Sequence, residues 1–220
     1  MKNNQSGFTL IEIAIVMVII GLLLGGVLKG QAMINSAKVR ALNNNVDGIT
    51  AAWFAFQDRY RTFPGDMLIA TAAVQIDATI AVGGNNNGVV AAGAEAGAVW
   101  LHLARAGFIS GSYTGLTTGA IVYDCPTTVC PDNRFQLGFV IVNSAITFPA
   151  PAVAAHRLYT GSNIPVTIVA ELDRKIDDGI PTTGSVRGGA NNGAAAACIA
   201  GATYNIAVAS ADCGLAMNNL

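Results

Sequence analysis

Four cysteines in two local pairs are the residues whose chemistry the sequence suggests most directly. One pair is Cys125 and Cys130, and the other is Cys198 and Cys213. An even number of cysteines in an exported domain favours disulfides formed in an oxidising compartment. The spacing favours these local pairs, although four cysteines allow three connectivities. A zinc site is disfavoured, because C-x4-C and two distant histidines do not provide the closely spaced ligand pairs of structural zinc sites.

The densest charge cluster of the sequence lies between Glu171 and Gly179. It contains three aspartates: Asp173, Asp177 and Asp178. Carboxylates near a turn are hard oxygen ligands, so these residues are a candidate calcium site. The interpretation we favour is a solvated helix face on which Glu171–Lys175 and Arg174–Asp178 pair at i,i+4. No cofactor is therefore predicted, with calcium as the open alternative.

Two further groups of residues are weaker candidates for a site. Asn85-Asn86-Asn87-Gly88, followed by Glu95, is loosely similar to a calcium-binding loop but contains no aspartate. His102 and His156 are isolated, and His102 is expected to be a packed histidine because it lies near Trp100 on a predicted helix. The motifs G-x-S-x-G, H-E-x-x-H and G-x-x-x-x-G-K-[ST] do not occur, so no enzymatic activity is predicted.

An apolar run from Phe8 to Leu28 is the element that dominates the chain, and Glu12 is its one charge. About 20 apolar helical residues span the hydrocarbon core of a bilayer. A secretory signal or a simple anchor is the ordinary interpretation, but neither needs an acid, which costs roughly 2.5–3.5 kcal/mol at the bilayer centre.

The composition of the chain excludes two classes of protein. With 52% hydrophobic and 11% charged residues and a net charge of −1 over 220 residues, the chain is neither a disordered solvating chain nor one with a general attraction for nucleic acid.

The residues at the start of this run resemble those of a known family. After a short polar leader with Lys2, the sequence Ser6-Gly7-Phe8-Thr9-Leu10-Ile11-Glu12 resembles the N-terminus of type IV prepilins and type II secretion pseudopilins. The resemblance implies that a prepilin peptidase cleaves between Gly7 and Phe8 and then N-methylates Phe8. It also implies that the apolar segment is retained and that the subunit assembles, at an inner-membrane platform, with copies of itself and other pilins. The Cys198–Cys213 pair is similar to the disulfide-bounded loop near the C-terminus of many type IV pilins.

Glu12 matches the glutamate of that family, and its surroundings suggest a role in assembly. Cleavage leaves a free α-amine on Phe8. In a bundle of staggered apolar helices, Glu12 of one subunit can face the Phe8 amine of another. Leaving either charge unpaired in a low-dielectric core is costly, so the pair is predicted to set the register of assembly.

The apolar run is predicted to continue as an amphipathic helix as far as Tyr60. Apolar residues recur at steps of three and four, which is the period of a helix: Val39, Leu42, Val46, Ile49, Trp53, Phe56 and Tyr60. Pro64 and Gly65 are expected to stop it. The predicted organisation is a leader at 1–7, a membrane-spanning half-helix at 8–28, an amphipathic half-helix at 29–62 and a globular head at 63–220.

The head is predicted to combine helices with short strands. Helices are expected over Glu95–Ala106 and from Asn163 to Gly179. Strands are expected at Ile121–Tyr123, Phe135–Val142, Ala145–Phe148 and Tyr204–Ala209, and loops at 64–93 and 188–202. A long helix followed by short strands favours an α+β fold with an antiparallel sheet laid on the helix. That is also the type IV pilin-like fold that the resemblance implies.

These features predict a structural subunit of a type IV pilus-type filament. Before assembly we expect a single-pass inner-membrane protein, with its apolar helix in lipid and its head in the periplasm, and after assembly an extracellular pilus. Two alternatives stay open: a type II secretion pseudopilin, whose filament remains periplasmic, and a minor tip adhesin or other anchored binding module. No nucleic-acid partner is predicted, because the basic residues are scattered.

Overall fold

The computed structural model describes residues 9–115, 123–145, 154–188, 195–208, 212–218 and 220. The chain forms two compact units, which divide between Lys38 and Val39. One helix, α1 (Leu10–Tyr60), contributes to both units. The second unit begins at Val39, so it includes the second half of α1 together with the predicted head at 63–220, and the whole unit is called the head.

The described part of the head combines helices with a four-stranded antiparallel sheet. Its helices after α1 are α2 (Ile69–Gln75), α3 (Ala94–Arg105), α4 (Val166–Ile176) and α5 (Ala195–Cys198). Its strands are β1 (Val140–Ala145), β2 (Ala154–Tyr159), β3 (Val186–Gly188), β4 (Ile199–Ala200), β5 (Thr203–Tyr204) and β6 (Leu215–Met217). The sheet order is β1-β2-β6-β3, and β4 and β5 form a separate two-stranded ribbon. The predicted α+β class is confirmed.

The second half of α1 supplies one wall of the hydrophobic core of the head. Six of the seven residues of the predicted stripe are buried on one helix face, as the helical period requires: Val39, Leu42, Val46, Ile49, Trp53 and Phe56. The seventh, Tyr60, is partly buried. Trp53 reaches β2, where its ring lies 5.4 Å from that of His156. Phe56 packs against Tyr60 at 4.6 Å and against Phe108 at 6.0 Å between ring centroids. This face of α1 is therefore fixed by contacts to the sheet and to the segment after α3.

His102, on α3, is a packed and fully hydrogen-bonded histidine, as predicted. The Gly65 N–H donates to its Nδ1 at 3.0 Å, so Nε2 carries the proton and donates to the Val82 carbonyl at 2.9 Å. Gly65 has a φ of 89°, and a Cβ there would lie 2.4 Å from the Glu95 carbonyl, so only glycine lets the chain after α1 approach α3 this closely. Burial lowers the pKa of His102.

The prediction of a strand over Phe135–Val142 was wrong in its first half, because β1 begins at Val140. The segment before it is wrapped around the buried side chain of Asn133, whose Oδ1 accepts from the Phe135 N–H at 2.7 Å. Arg134 and Gln136 have φ values of 69° and 73°, which a strand does not allow. A local β-rich composition could not reveal a loop organised by one buried amide.

Other short elements also differ from the predictions. The strand predicted over Tyr204–Ala209 ends at Tyr204, as β5, and the strand that completes the sheet is β6. The stretches predicted as loops, 64–93 and 188–202, contain the short helices α2 and α5 and the strand β4. These elements have two to seven residues, too few for a periodic pattern to identify them.

The predicted helices of the head and the predicted end of α1 agree with the structure. Helix α3 confirms the prediction over Glu95–Ala106, and α4 confirms a helix that begins after Pro165, although it ends at Ile176. Helix α1 ends at Tyr60 because Arg61 adopts a φ of 57°, the left-handed conformation that closes many helices. Residues 121–122 and 146–148 of two predicted strands lie outside the described residues.

The burial of Phe56 leads to a first prediction. Phe56 is fully buried, so Phe56→Ala should leave a cavity and lower the free energy of unfolding of the head by about 3–5 kcal/mol. The matched control is Phe54→Ala on the same helix, where the side chain is 47% exposed and a change below about 1 kcal/mol is expected. Urea unfolding of the detergent-solubilised chain, followed by tryptophan fluorescence, measures both. Equal losses in the two variants would contradict the assigned helix face.

A second prediction concerns pH. Burial lowers the pKa of His102 from its ordinary 6.5. Burial also lowers the pKa of His156, although the negative charge of Asp66 acts in the opposite direction. The unfolded chain therefore takes up protons first, so the free energy of unfolding of the head should fall as the pH drops below about 6.5. The free energy of unfolding stops falling at the pH at which the histidines of the folded state are protonated as well.

The matched variants His102→Gln and His156→Gln separate the two contributions. Each variant removes one group that titrates in this range, so each should show a shallower fall of the unfolding free energy below pH 6.5. A profile that is unchanged in both variants would show that other groups cause the pH dependence.

Candidate functional site

The first half of α1 is an apolar surface whose side chains are exposed within the part of the chain that the structure describes. Within the described residues, α1 is the one helix long and apolar enough to cross a bilayer, and its most apolar window has a mean hydropathy of 2.7 with none of it buried. Leu10 is 91% exposed and Leu22 is 74% exposed. A secretory signal would meet the same criterion of length and composition, so the helix alone does not separate an anchor from a signal.

Glu12 is held in a reciprocal capping arrangement at the beginning of α1. The Thr9 N–H donates to Glu12 Oε2 at 3.1 Å, and the Glu12 N–H donates to Thr9 Oγ1 at 3.3 Å. The Thr9 hydroxyl also donates to the same Oε2 at 3.0 Å. This is a capping box, in which the side chains of the N-cap and N3 residues each satisfy the other's backbone donor.

The capping box gives Glu12 a structural role that our sequence prediction missed. The signal was available, because Thr-x-x-Glu directly before an apolar run is the sequence signature of this motif. The capping contacts use only Oε2, and a carboxylate has two oxygens with about four acceptor positions, so Glu12 can also accept a donor from outside its own helix. Gly7 and Phe8, the predicted cleavage and methylation residues, lie outside the described residues.

Both cysteine pairs are disulfides in the structure. Cys125–Cys130 closes a small loop, and the Gly138 N–H donates to the Cys125 carbonyl at 2.7 Å beside it. Cys198–Cys213 joins α5 to the segment that leads into β6, and Cys213 exchanges two backbone hydrogen bonds with Ile164, just before α4. All four sulfurs are used, so no thiolate remains for a zinc ion. The disulfide and these hydrogen bonds together connect α5, the segment before β6 and the residues just before α4.

The three aspartates of the charge cluster converge at the end of α4. Glu171, Arg174, Lys175 and Asp178 are exposed, as the interpretation of a solvated face requires, but Asp173 is not part of that face. One carboxylate oxygen from each of Asp173, Asp177 and Asp178 lies within 4.8 Å of the others. Asp173 is fully buried and accepts a hydrogen bond from the Tyr204 hydroxyl at 2.7 Å. Glu171–Lys175 and Arg174–Asp178 do not form ion pairs within the part of the chain that the structure describes.

The electrostatics of the cluster follow from this packing. Burial, with smaller contributions from the charges of Asp178 and Asp177, raises the pKa of Asp173, while the Tyr204 hydroxyl and the Gly179 backbone oppose the shift. Burial and the neighbouring Asp173 raise the pKa of Tyr204. Sequence reasoning missed Tyr204 because it lies on β5, 31 positions along the chain from its partner.

The asparagine loop is held together by two acids of the head. Asp66 accepts from the N–H groups of Asn87, at 3.1 Å, and Gly88, at 2.8 Å. Glu95 accepts from the Asn85 amide at 3.0 Å and from a backbone N–H at 2.8 Å. Protein donors thus engage both carboxylates, and the loop has a structural explanation without a cation. Asp66 was missed because its partners are more than twenty positions away.

A groove of about 510 Å³ opens on the head between α1 and two loop segments. Its lining is Asn44, Asn45, Gly48, Ile49, Phe108, Ile109, Ser110, Tyr113, Pro131, Asp132 and Arg134. Asp132 accepts from the Arg134 backbone N–H at 2.8 Å, and the Tyr113 hydroxyl donates to the Ser110 carbonyl at 3.3 Å. No histidine or cysteine is among these described lining residues, and the groove holds no nucleophile–base pair of the kind that catalysis uses.

Comparison with known proteins bears on the N-terminal segment. Residues 2–28 match the family model described as the prokaryotic N-terminal methylation motif. No curated protein and no solved structure matches the chain. The motif is that of membrane-anchored structural proteins that a prepilin peptidase processes and that assemble into filaments with other pilins. The chain therefore combines the N-terminal methylation motif of the type IV pilin and pseudopilin family with an α+β head.

Proposed function

We propose that the chain is the structural subunit of a type IV pilus-type filament, cleaved between Gly7 and Phe8 and N-methylated on Phe8. The observation that carries the proposal is the wholly exposed apolar half of α1, directly behind a methylation motif. A segment that is only an anchor has no need of that motif. A cleaved signal would be removed together with its apolar residues.

The driving force of assembly is the burial of this apolar helix. Burying apolar surface contributes roughly 25 cal/mol for each Å² removed from water. Before assembly, membrane lipid covers the helix while the head lies in the periplasm. In the filament, the helices of neighbouring subunits replace the lipid. The apolar contacts therefore exist in both states, and specific polar contacts must decide how the subunits align.

Glu12 supplies the polar contact that aligns the subunits. Cleavage places a positive α-amine on Phe8, four positions before Glu12 and next to Thr9. One oxygen of Glu12 already accepts two hydrogen bonds from Thr9 within its own subunit. The carboxylate pairs with the amine of a neighbouring subunit, because leaving either charge unpaired in an apolar bundle is costly. The capping box fixes where the acid lies, and the ion pair fixes the register.

The subunit has three kinds of partner in this scheme: other pilin subunits, the prepilin peptidase and the inner-membrane assembly platform. The alternatives are a type II secretion pseudopilin and a minor tip adhesin, which would share the N-terminal motif. The disulfide between Cys198 and Cys213 favours a pilus, because it closes a C-terminal loop similar to that of many pilins. Disulfides persist both outside the cell and in the periplasm, so the preference for a pilus rests on the loop and not on the oxidising conditions.

The processing prediction is tested by intact mass and N-terminal sequencing of the protein from cells. We expect a chain that has lost residues 1–7 and begins with N-methylated phenylalanine. A Gly7→Val variant should remain at precursor length, because the peptidase no longer accepts the cleavage site. A mature chain that still starts at Met1, or one that lacks residues 8–28, would overturn the proposal.

The assembly prediction separates the charge of Glu12 from its capping role. Glu12→Ala removes both functions. Glu12→Gln keeps a capping partner for Thr9 but removes the charge. Thr9→Ala keeps the charge and costs only the cap, about 1 kcal/mol. We expect both Glu12 variants to insert into the membrane normally and to form few or no fibres, whereas Thr9→Ala should still assemble.

Sheared surface fibres, quantified by immunoblot against membrane fractions, measure assembly in each variant. Normal fibre numbers in Glu12→Gln would show that capping, not charge, is the function of Glu12. The same fractions distinguish the alternatives. A pilus subunit is abundant in the fibres, a tip protein is present in trace amounts, and a pseudopilin is absent from them.

A further inference from the structure

Val90, which lies between the asparagine loop and α3, is bound to the sheet through both of its backbone groups. Its N–H donates to Nε2 of His156, on β2, at 3.0 Å. Its carbonyl accepts the N–H of Asn143, on β1, at 2.8 Å. Asn143 and His156 are register partners, so Val90 is fixed at one point of the β1–β2 pair. Val90 is fully buried, and its N–H therefore depends on the imidazole for a partner.

This hydrogen bond defines the protonation state of His156. A ring nitrogen that accepts a hydrogen bond carries no proton, so the ring is neutral and its proton is on Nδ1. In a protonated imidazole both nitrogens are donors, and the proton on Nε2 would face the N–H of Val90. The bond between Val90 and β2 therefore exists only while His156 is neutral.

The surroundings of His156 also suit the charged ring. The rings of Phe63 and Trp53 lie 4.5 Å and 5.4 Å from the imidazole between centroids. Both distances are within the roughly 6 Å over which an aromatic ring attracts a cation. Asp66 adds a negative charge that favours protonation of His156. The site thus offers partners to both protonation states, the Val90 N–H to the neutral ring and the aromatic rings and Asp66 to the charged one.

Asp66 connects the state of His156 to the asparagine loop. The same carboxylate accepts from the N–H groups of Asn87 and Gly88. A charged imidazole near Asp66 competes with these two donors, because a carboxylate binds a charged donor more strongly than a neutral one. Release of Val90 would therefore extend to the loop that precedes it.

We propose that His156 is a pH-sensitive latch, which holds Val90 on the sheet while neutral and releases Val90 and the asparagine loop once protonated. The opening is local, because α1 and the β1–β2 pair keep their own hydrogen bonds. Burial lowers the pKa of His156 in the closed head, so the open form takes up the proton first and gains population as the pH falls below about 6.5. The proposal does not depend on filament assembly.

His102 provides an internal comparison. It also accepts a backbone N–H, that of Gly65, but its other nitrogen donates to the Val82 carbonyl. It is fully buried, and its described contacts are uncharged, including the Phe56 ring at 6.3 Å. His102 therefore lacks an acid like Asp66 that would favour the charged ring, and we expect it to stay neutral while the latch opens.

Hydrogen exchange of the full chain in detergent, measured by mass spectrometry between about pH 5 and about pH 7.5, tests the latch. Division by the intrinsic exchange rate at each pH gives protection factors. For residues 84–91 we expect protection to fall by up to about tenfold for each pH unit below 6.5, the slope for one proton taken up on opening. Residues 46–56 of α1 should keep their protection over the same range.

Three variants assign the effect to His156. In His156→Gln an amide oxygen can still accept the Val90 N–H but does not titrate, so protection of 84–91 should not depend on pH. His156→Phe keeps a ring and removes the acceptor, so protection there should be low at every pH. His102→Gln is the matched control and should retain the pH-dependent fall in 84–91.

Protection of residues 46–56 at the highest pH verifies that each variant is folded. The proposal is overturned if His156→Gln shows the same fall as the unaltered chain. It is also overturned, whether or not the variants fold, if the unaltered chain shows no fall in 84–91 or an equal fall in 46–56, since an equal fall is global unfolding.

Discussion

The first half of α1 presents apolar side chains on every face, and this one constraint governs the protein. Leu10, Leu22 and their neighbours lie open within the chain, so either lipid or other protein must cover them. A lipid tail and a neighbouring apolar helix are almost equivalent partners, because neither offers a hydrophobic gain over the other. In the proposed function, a subunit can therefore move between membrane and filament at small cost in apolar contact, and polar groups have to set the direction. Glu12 is the charged group available within this stretch.

The second half of α1 is part of the hydrophobic core of the head. From Val39 the apolar residues narrow to a stripe, and that stripe becomes a wall of the head's core. Trp53 and Phe56 fix the helix against β2 and the segment after α3 through ring contacts. Gly65 and His102 then hold the chain that leaves the helix. A single helix is thus an exposed apolar element at one end and a core element at the other.

The C-terminal part of the head is stabilised by links between distant segments. The Cys198–Cys213 disulfide closes this part on itself, the hydrogen bonds between Ile164 and Cys213 join it to the residues just before α4, and the Tyr204–Asp173 bond joins it to α4. Its strands are only two or three residues long and would be weak alone. Cross-links of this kind let short elements form a stable surface on the head.

The sequence by itself determined the features that repeat or that form a local motif. The apolar run, the stripe from Val39 to Phe56, the two cysteine pairs and the methylation motif are all visible in it, because helical period and short spacing are local properties. Helix α3 and the packed His102 followed from the same patterns. Only the tertiary structure decided the rest. The loop around Asn133, strand β6, the hydrogen bonds of Asp66 with the asparagine loop and the hydrogen bond from Tyr204 to Asp173 depend on residues brought together from distant positions. No local pattern encodes which buried polar group will find which partner.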